Sequence, residues 1–120
     1  MMRNIQVALV FILLFTGSVV FAEDNKEIDY LLSYLADSGC TFVRNGGEHE
    51  AKEARDHLQM KYNYSKGRIK TAEDFIDKIA SKSSLSRKPY AVHCGDVEMP
   101  SRLWLEEALA VHRGFEKKIQ

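Results

Sequence analysis

Cys40-Thr41-Phe42-Val43-Arg44, running into Asn45-Gly46-Gly47, decides the fold together with one later stretch, Tyr90-Ala91-Val92-His93-Cys94 before Gly95-Asp96. Both are short, rich in branched and aromatic residues, and end in turn-forming residues, so both read as β-strands. The cysteines put them in register. If Cys40 faces Cys94 in an antiparallel pair, Phe42 faces Val92 and Arg44 faces Tyr90. The two-residue period then gathers Cys40, Phe42, Arg44, Tyr90, Val92 and Cys94 on one face, which should pack on helices.

Helical patterns surround these strands. Ile28, Leu31, Leu32 and Leu35 recur at helical spacing between Asp24 and Ser38, and Gly39 is placed to end that helix. Glu48 to about Tyr62 carries a stripe of Ala51, Ala54, Leu58 and Tyr62, broken by Ser65-Lys66-Gly67. Thr71 is a good N-cap for a helix from Ala72 to about Ser81, with Glu73 and Asp74 in its first turn. Lys82 to Pro89 reads as a polar, serine-rich loop. Pro100-Ser101 opens a last helix, about 102–117, with Trp104, Leu105, Ala108, Leu109 and Phe115 on its apolar face. The expected class is α+β, mainly helical: about four helices plus a short two-stranded antiparallel pair joined by a Cys40–Cys94 disulfide. No internal repeat or low-complexity tract is visible.

The 120 residues carry 17 Lys+Arg against 17 Asp+Glu, which argues against a basic clamp on nucleic acid. That length suits one small domain rather than paired cofactor and substrate domains. The apolar residues are unevenly spread. Arg3 is followed by the nearly unbroken apolar run Ile5 to Phe21, and Val20-Phe21-Ala22 precedes Glu23-Asp24. A basic start, apolar middle and small-residue exit describe a cleavable signal peptide over residues 1–22. The rival is an uncleaved anchor in the inner membrane, although the run sits at the short limit for a bilayer span. Cleavage leaves a single domain, residues 23–120, of net charge −1 and with no stable membrane span. Two cysteines and no others in an exported chain read as one disulfide. Its loop of about 55 residues would contribute roughly 4 kcal/mol by chain-entropy reckoning. A redox pair or thiolate metal ligands would call for CxxC spacing, which is absent.

No motif assigns chemistry. His49, Glu53 and His57 share a side of the second helix, but HExxH is missing and a solvated charged face is the better reading, so no metal site is expected. His112 falls among apolar residues as a core or boundary histidine, and His93 should be exposed. Arg44-Asn45-Gly46-Gly47 could cradle an anion, yet Glu48 and Glu50 would repel one, which favours simple turn chemistry. The serine loop has hydroxyls and positive charge but neither SxxK nor GxSxG.

One combination of strings carries a resemblance: Cys40-Thr-Phe-Val-Arg-Asn-Gly46, Ala54 with His57-Leu58 and Lys61-Tyr62, Thr71-Ala-Glu-Asp-Phe-Ile76, then Lys82-Ser-Ser84 and Pro89-Tyr90. It resembles the YfeK-like exported proteins, small proteins of Gram-negative bacteria grouped as a domain of unknown function. The similarity spans about residues 28–113. Related sequences often read SSxSGxPY in the serine loop, where this chain has Arg87-Lys88 before Pro89. The resemblance implies a periplasmic location and supplies no activity, catalytic residue or cofactor. Its polar positions, Arg44, Asn45, His57, Lys61, Ser83, Ser84 and Tyr90, are the candidate binding cluster. The competing reading has Arg44 and Asn45 simply holding the turns. Two functions follow as expectations. One is a non-enzymatic module that binds an envelope protein or small ligand. The other is a small hydrolase or transferase using His57 as base beside Ser84 or Tyr90, which needs the pair within hydrogen-bond reach.

Overall fold

The computed structural model describes the backbone of residues 19–119 and the side chains of residues 26–115. The expected signal segment therefore lies largely outside the described residues. The α+β class holds: four α-helices pack against one antiparallel sheet. Helix α1 is Val19–Ala36, α2 is Ala51–Ser65, α3 is Ala72–Lys78 and α4 is Ser101–Ile119. Strands β1 (Thr41–Arg44) and β3 (Ala91–Cys94) form the central pair, with Thr41 opposite His93 and Phe42 opposite Val92. That register matches the one read from the cysteines, and Cys40 and Cys94 are joined with their Cα atoms 4.6 Å apart.

The sheet has four strands rather than two, in the order β2-β1-β3-β4. Strand β2 is Gly47–Glu50 and β4 is Val97–Pro100. The sequence reading assigned the first to the start of the second helix and the second to a connection. The turn explains the difference. Asn45 and Gly46 both adopt positive φ, 52° and 83°, the conformation of a two-residue hairpin whose twist returns the chain onto β1. Glu48 and Glu50 then sit exposed on a sheet edge, where charge discourages pairing with other chains. Pro100 is tolerated in β4 for a related reason: it closes an edge strand, where one ladder donor is dispensable.

The architecture repeats although the sequence does not. Helix, hairpin, helix (α1-β1-β2-α2) is followed by the same order in α3-β3-β4-α4, with both hairpins and the helices after them offset by 50 residues. Strands β1 and β3 share one burial pattern, with only the second residue fully buried, and β2 and β4 share another. Exchanging the halves, by adding 50 to Thr41 and subtracting 50 from His93, turns Thr41↔His93 into Ala91↔Val43, which is also a pair in the sheet. A pseudo-twofold axis therefore passes through Phe42 and Val92. Between residues 41–62 and 91–112 only Glu48 and Glu98 coincide, so the repeat is invisible to residue identity.

The core lies between the sheet and the helices. Ile28, Leu31 and Leu35 from α1 meet Leu58 from α2, Phe75 and Ile76 from α3, and Leu105 from α4, all nearly inaccessible. Tyr62 and His112 occupy corresponding positions in the two halves. Each meets a ring on the other half's leading helix: Tyr62 edge-on to Phe75, and His112 stacked on Tyr30 at 4.0 Å. Phe115, expected on the buried face of α4, is 60% exposed, because the helix there runs past the core. His93, expected in solvent, is half-buried, its carbonyl accepting from the Thr41 hydroxyl.

Helix α3 starts as read, with a capping box between Thr71 and Asp74, but ends at Lys78. The serine segment beyond it is a closed loop, not an open one. Lys82 bridges to Pro89, the Ser83 amide donates to the Lys88 carbonyl, and the Ser83 hydroxyl accepts from the amides of Leu85 and Ser86. The loop turns at Arg87 with φ 67°, where a glycine would be unstrained and a side chain is disfavoured.

Two substitutions test this account. Arg87→Gly should raise stability by about 0.5–1 kcal/mol in urea unfolding, through relief of the left-handed conformation. Ser101 is fully buried with its hydroxyl unpartnered, where the other half has Ala51. Ser101→Ala should be neutral or stabilising by up to about 1 kcal/mol. A clear loss of stability in either variant would contradict the corresponding assignment.

Candidate functional site

The pseudo-twofold axis relates the disulfide end of the central pair to the opposite end, and there the symmetry breaks. Continuing the β1–β3 register outward puts Cys40 beside Cys94 at one end and Arg44 beside Tyr90 at the other. The connections differ as well. Residues 37–40 join α1 to β1, whereas residues 79–90, including the serine loop, join α3 to β3. The longer connection leaves room for a site beside Tyr90.

Lys61 occupies that room. Its Nζ donates to the Ile79 carbonyl at 2.9 Å, the Lys82 carbonyl at 3.2 Å and the Tyr90 hydroxyl at 3.0 Å. One lysine on α2 thus ties down the end of α3, the serine loop and the sheet. Burial, reinforced by the Arg44 charge, pulls its pKa down to about 8. The neutral amine fits the same partners, since two N–H groups can serve the carbonyls while its lone pair accepts from Tyr90. Burial also lowers the pKa of His57, with Arg44, Lys61 and His49 adding repulsion. Tyr90 is 1% exposed, and burial pushes its hydroxyl pKa up against the pull of Arg44.

The seven sequence-derived candidates fall into three groups. Arg44, His57, Lys61 and Tyr90 form one electrostatically coupled set. Asn45 accepts a hydrogen bond from the Ser86 hydroxyl at 2.6 Å, fastening the hairpin turn to the serine loop. Ser83 is buried and serves its own loop, while Ser84 is exposed on the rim of a cleft that Lys61 also lines. No hydrogen bond joins His57 to Ser84 or Tyr90. His49 lies on β2 rather than on the second helix, with Nδ1 3.4 Å from Glu53. Among the described residues no group of three His, Cys, Asp or Glu side chains could hold a metal ion.

The cleft has a volume of about 490 Å³ and lies between the ends of α2 and α3. Beyond Lys61 and Ser84 it is lined by Tyr64, Arg68, Lys78 and Ile79. Sequence reasoning missed Tyr64, Arg68 and Lys78, although a signal existed: residues 61–88 hold eight Lys/Arg and three Asp/Glu in a chain that balances overall.

The family of unknown function DUF5329 matches residues 22–113, the span that includes every element of this site. The chain belongs to that family. It is also 44% identical over 92 residues to the uncharacterized protein YfeK of Salmonella typhimurium, covering 74% of this chain and 77% of that protein. No solved structure matches. The four-helix, four-stranded arrangement gives this member its fold.

Lys61→Met should cost about 2 kcal/mol or more, because two carbonyls and a buried hydroxyl lose their charged partner. The pH dependence is a sharper readout. Between about pH 8 and the ordinary lysine value of 10.5, the unfolded chain holds the Lys61 proton and the folded chain does not. Stability carried by Lys61 should therefore rise with pH across that window. The difference between wild type and Lys61→Met, followed by urea unfolding from pH 7.5 to 9.5, should widen; a constant difference would contradict the depressed pKa.

Proposed function

We propose that this DUF5329 protein is an exported, periplasmic module that binds an envelope partner or small ligand and does not turn over a substrate. The observation that carries this reading is the state of the candidate nucleophiles. The Tyr90 hydroxyl is buried and engaged by Lys61, Ser83 is committed to its loop, and exposed Ser84 has no base in hydrogen-bond contact. Burial and the neighbouring cations favour the neutral form of His57, but an imidazole without a paired nucleophile does not make a hydrolase. What remains is a pre-formed cleft whose walls are fixed by Lys61, an arrangement suited to recognition.

Export is supported by the basic-then-apolar pattern of residues 1–22 and by the Cys40–Cys94 disulfide, which persists in oxidising compartments. Among the described residues no helix is long and apolar enough to cross a membrane. Cleavage after Ala22 would shorten α1 by its first turn and place Glu23 and Asp24 at the new helix start, where acidic residues favour the helix dipole.

Mass spectrometry of the protein recovered from the periplasm should find a chain starting at Glu23 with no alkylatable thiol. A full-length, membrane-retained chain would overturn the export reading. Ester and phosphoester substrate panels should show no turnover that His57→Gln removes; turnover lost with that substitution would establish the hydrolase alternative instead.

A further inference from the structure

Two surface clefts among the described residues differ in electrical character. The smaller, about 300 Å³ between α3 and α4, contains two arginines that are already matched. Arg113 makes paired hydrogen bonds to Glu27 and Glu73, and Arg102 is bound to Asp77. That groove is an ion-pair network holding α1, α3 and α4 together.

The larger cleft is different. Three cations line it, Lys61, Arg68 and Lys78, and no carboxylate does. Lys78 is partly balanced by Asp74 at 3.8 Å, whereas Arg68 is exposed and has no ion pair among the described residues. Of the three acids in the basic segment 61–88, Glu73 and Asp77 face α4 and are taken by Arg113 and Arg102. The cleft therefore keeps about two uncompensated positive charges. Helix α3 ends beside it, and the exposed carbonyls of a helix end would ordinarily repel an anion. Lys61 donates to the carbonyl of Ile79, the residue that caps this helix end, and to that of Lys82 in the serine loop, which offsets part of that repulsion. Tyr64 and Ser84, also in the lining, add hydroxyl donors.

We propose that this cleft binds a dianionic phosphate group, held by Arg68 and Lys78 with Ser84 and Tyr64 donating from the walls and Lys61 contributing its charge while its N–H groups stay on their protein partners, carried by a soluble ligand or by a lipid headgroup. The proposal rests on the binding reading above and names the chemistry of its ligand. A phosphate monoester carries between about 1.5 and 2 negative charges near pH 7, which matches the excess in the cleft. A monocarboxylate would leave one cation unanswered. Arg68 supplies the planar fork suited to two phosphate oxygens.

The test is a ¹H–¹⁵N titration of the protein as the cell produces it, using inorganic phosphate and, separately, acetate. Phosphate should give saturable shifts at Tyr64, Arg68, Lys78 and Ser84, weakened by added NaCl as screening requires. Arg68→Gln should lower phosphate affinity about tenfold, the loss of a charge-assisted contact, while Lys52→Gln on the start of α2 should not change it. Sedimentation with vesicles containing phosphatidic acid, whose headgroup is a phosphate monoester, against phosphatidylcholine vesicles, separates the sources. Vesicle binding lost in Arg68→Gln and competed by free phosphate assigns a lipid headgroup; phosphate binding without sedimentation assigns a soluble ligand. Shifts scattered over the surface, equal response to acetate, or an Arg68→Gln variant that titrates like wild type would overturn the proposal. Such a failure would leave the export and non-catalytic reading intact, because that is measured from the N-terminus and from turnover.

Discussion

Everything in this domain depends on the antiparallel pairing of β1 with β3 about Phe42 and Val92. The two strands lie about 50 residues apart in sequence, so their contact must overcome a large loop-closure entropy before any local gain rewards it. The Cys40–Cys94 disulfide, with a sequence separation of 54, removes much of that cost from the unfolded chain. It also fixes register, and a one-residue slip would turn Phe42, Tyr90 and Val92 out of the core. Once the pair is set, each hairpin adds an outer strand and each following helix covers half of the inner face.

The same pairing explains where a site could arise. A symmetric duplex of hairpins would put equivalent residues at both ends of the central pair. Here one end is closed by the disulfide, and the equivalent positions at the other end are Arg44 and Tyr90. Lys61 has Val111 as its counterpart on α4, which is 70% exposed and ties nothing down. The long α3–β3 connection has no counterpart of similar size. Asymmetry built on a symmetric frame leaves a cleft at one end and a sealed joint at the other.

The sequence made the central register, the four helical stripes and the cluster around Tyr90 legible, because each is written in periodicity or in the placement of cysteines. The edge strands were not. Gly47–Glu50 and Val97–Pro100 are exposed except at their third residues, His49 and Met99, so they lack the alternation over several residues that marks a half-buried strand. Their existence follows from a turn conformation, positive φ at Asn45 and Gly46, that identity alone only suggests. The repeat was hidden for a similar reason: burial pattern is conserved between the halves, while Phe42 answers to Val92, Arg44 to Cys94 and Ala54 to Trp104. The partners of Lys61 were also out of reach, since two of the three are backbone carbonyls that carry no residue signature.

Charge shows most clearly why a total conceals a distribution. Equal numbers of acids and bases argue against a generally basic surface, and that conclusion stands for the chain as a whole. The fold nevertheless sorts the charges. Glu73 and Asp77 point across to α4, where they hold Arg113 and Arg102, and the helix spacing that turns them there turns Lys78 toward the cleft with only Asp74 beside it. The ion pairs that stabilise the α3–α4 seam are thus also what strips the neighbouring cleft of counter-charge. Packing and recognition are linked through α3: it gives Glu73 and Asp77 to one side, and Lys78 at its end is left facing the other.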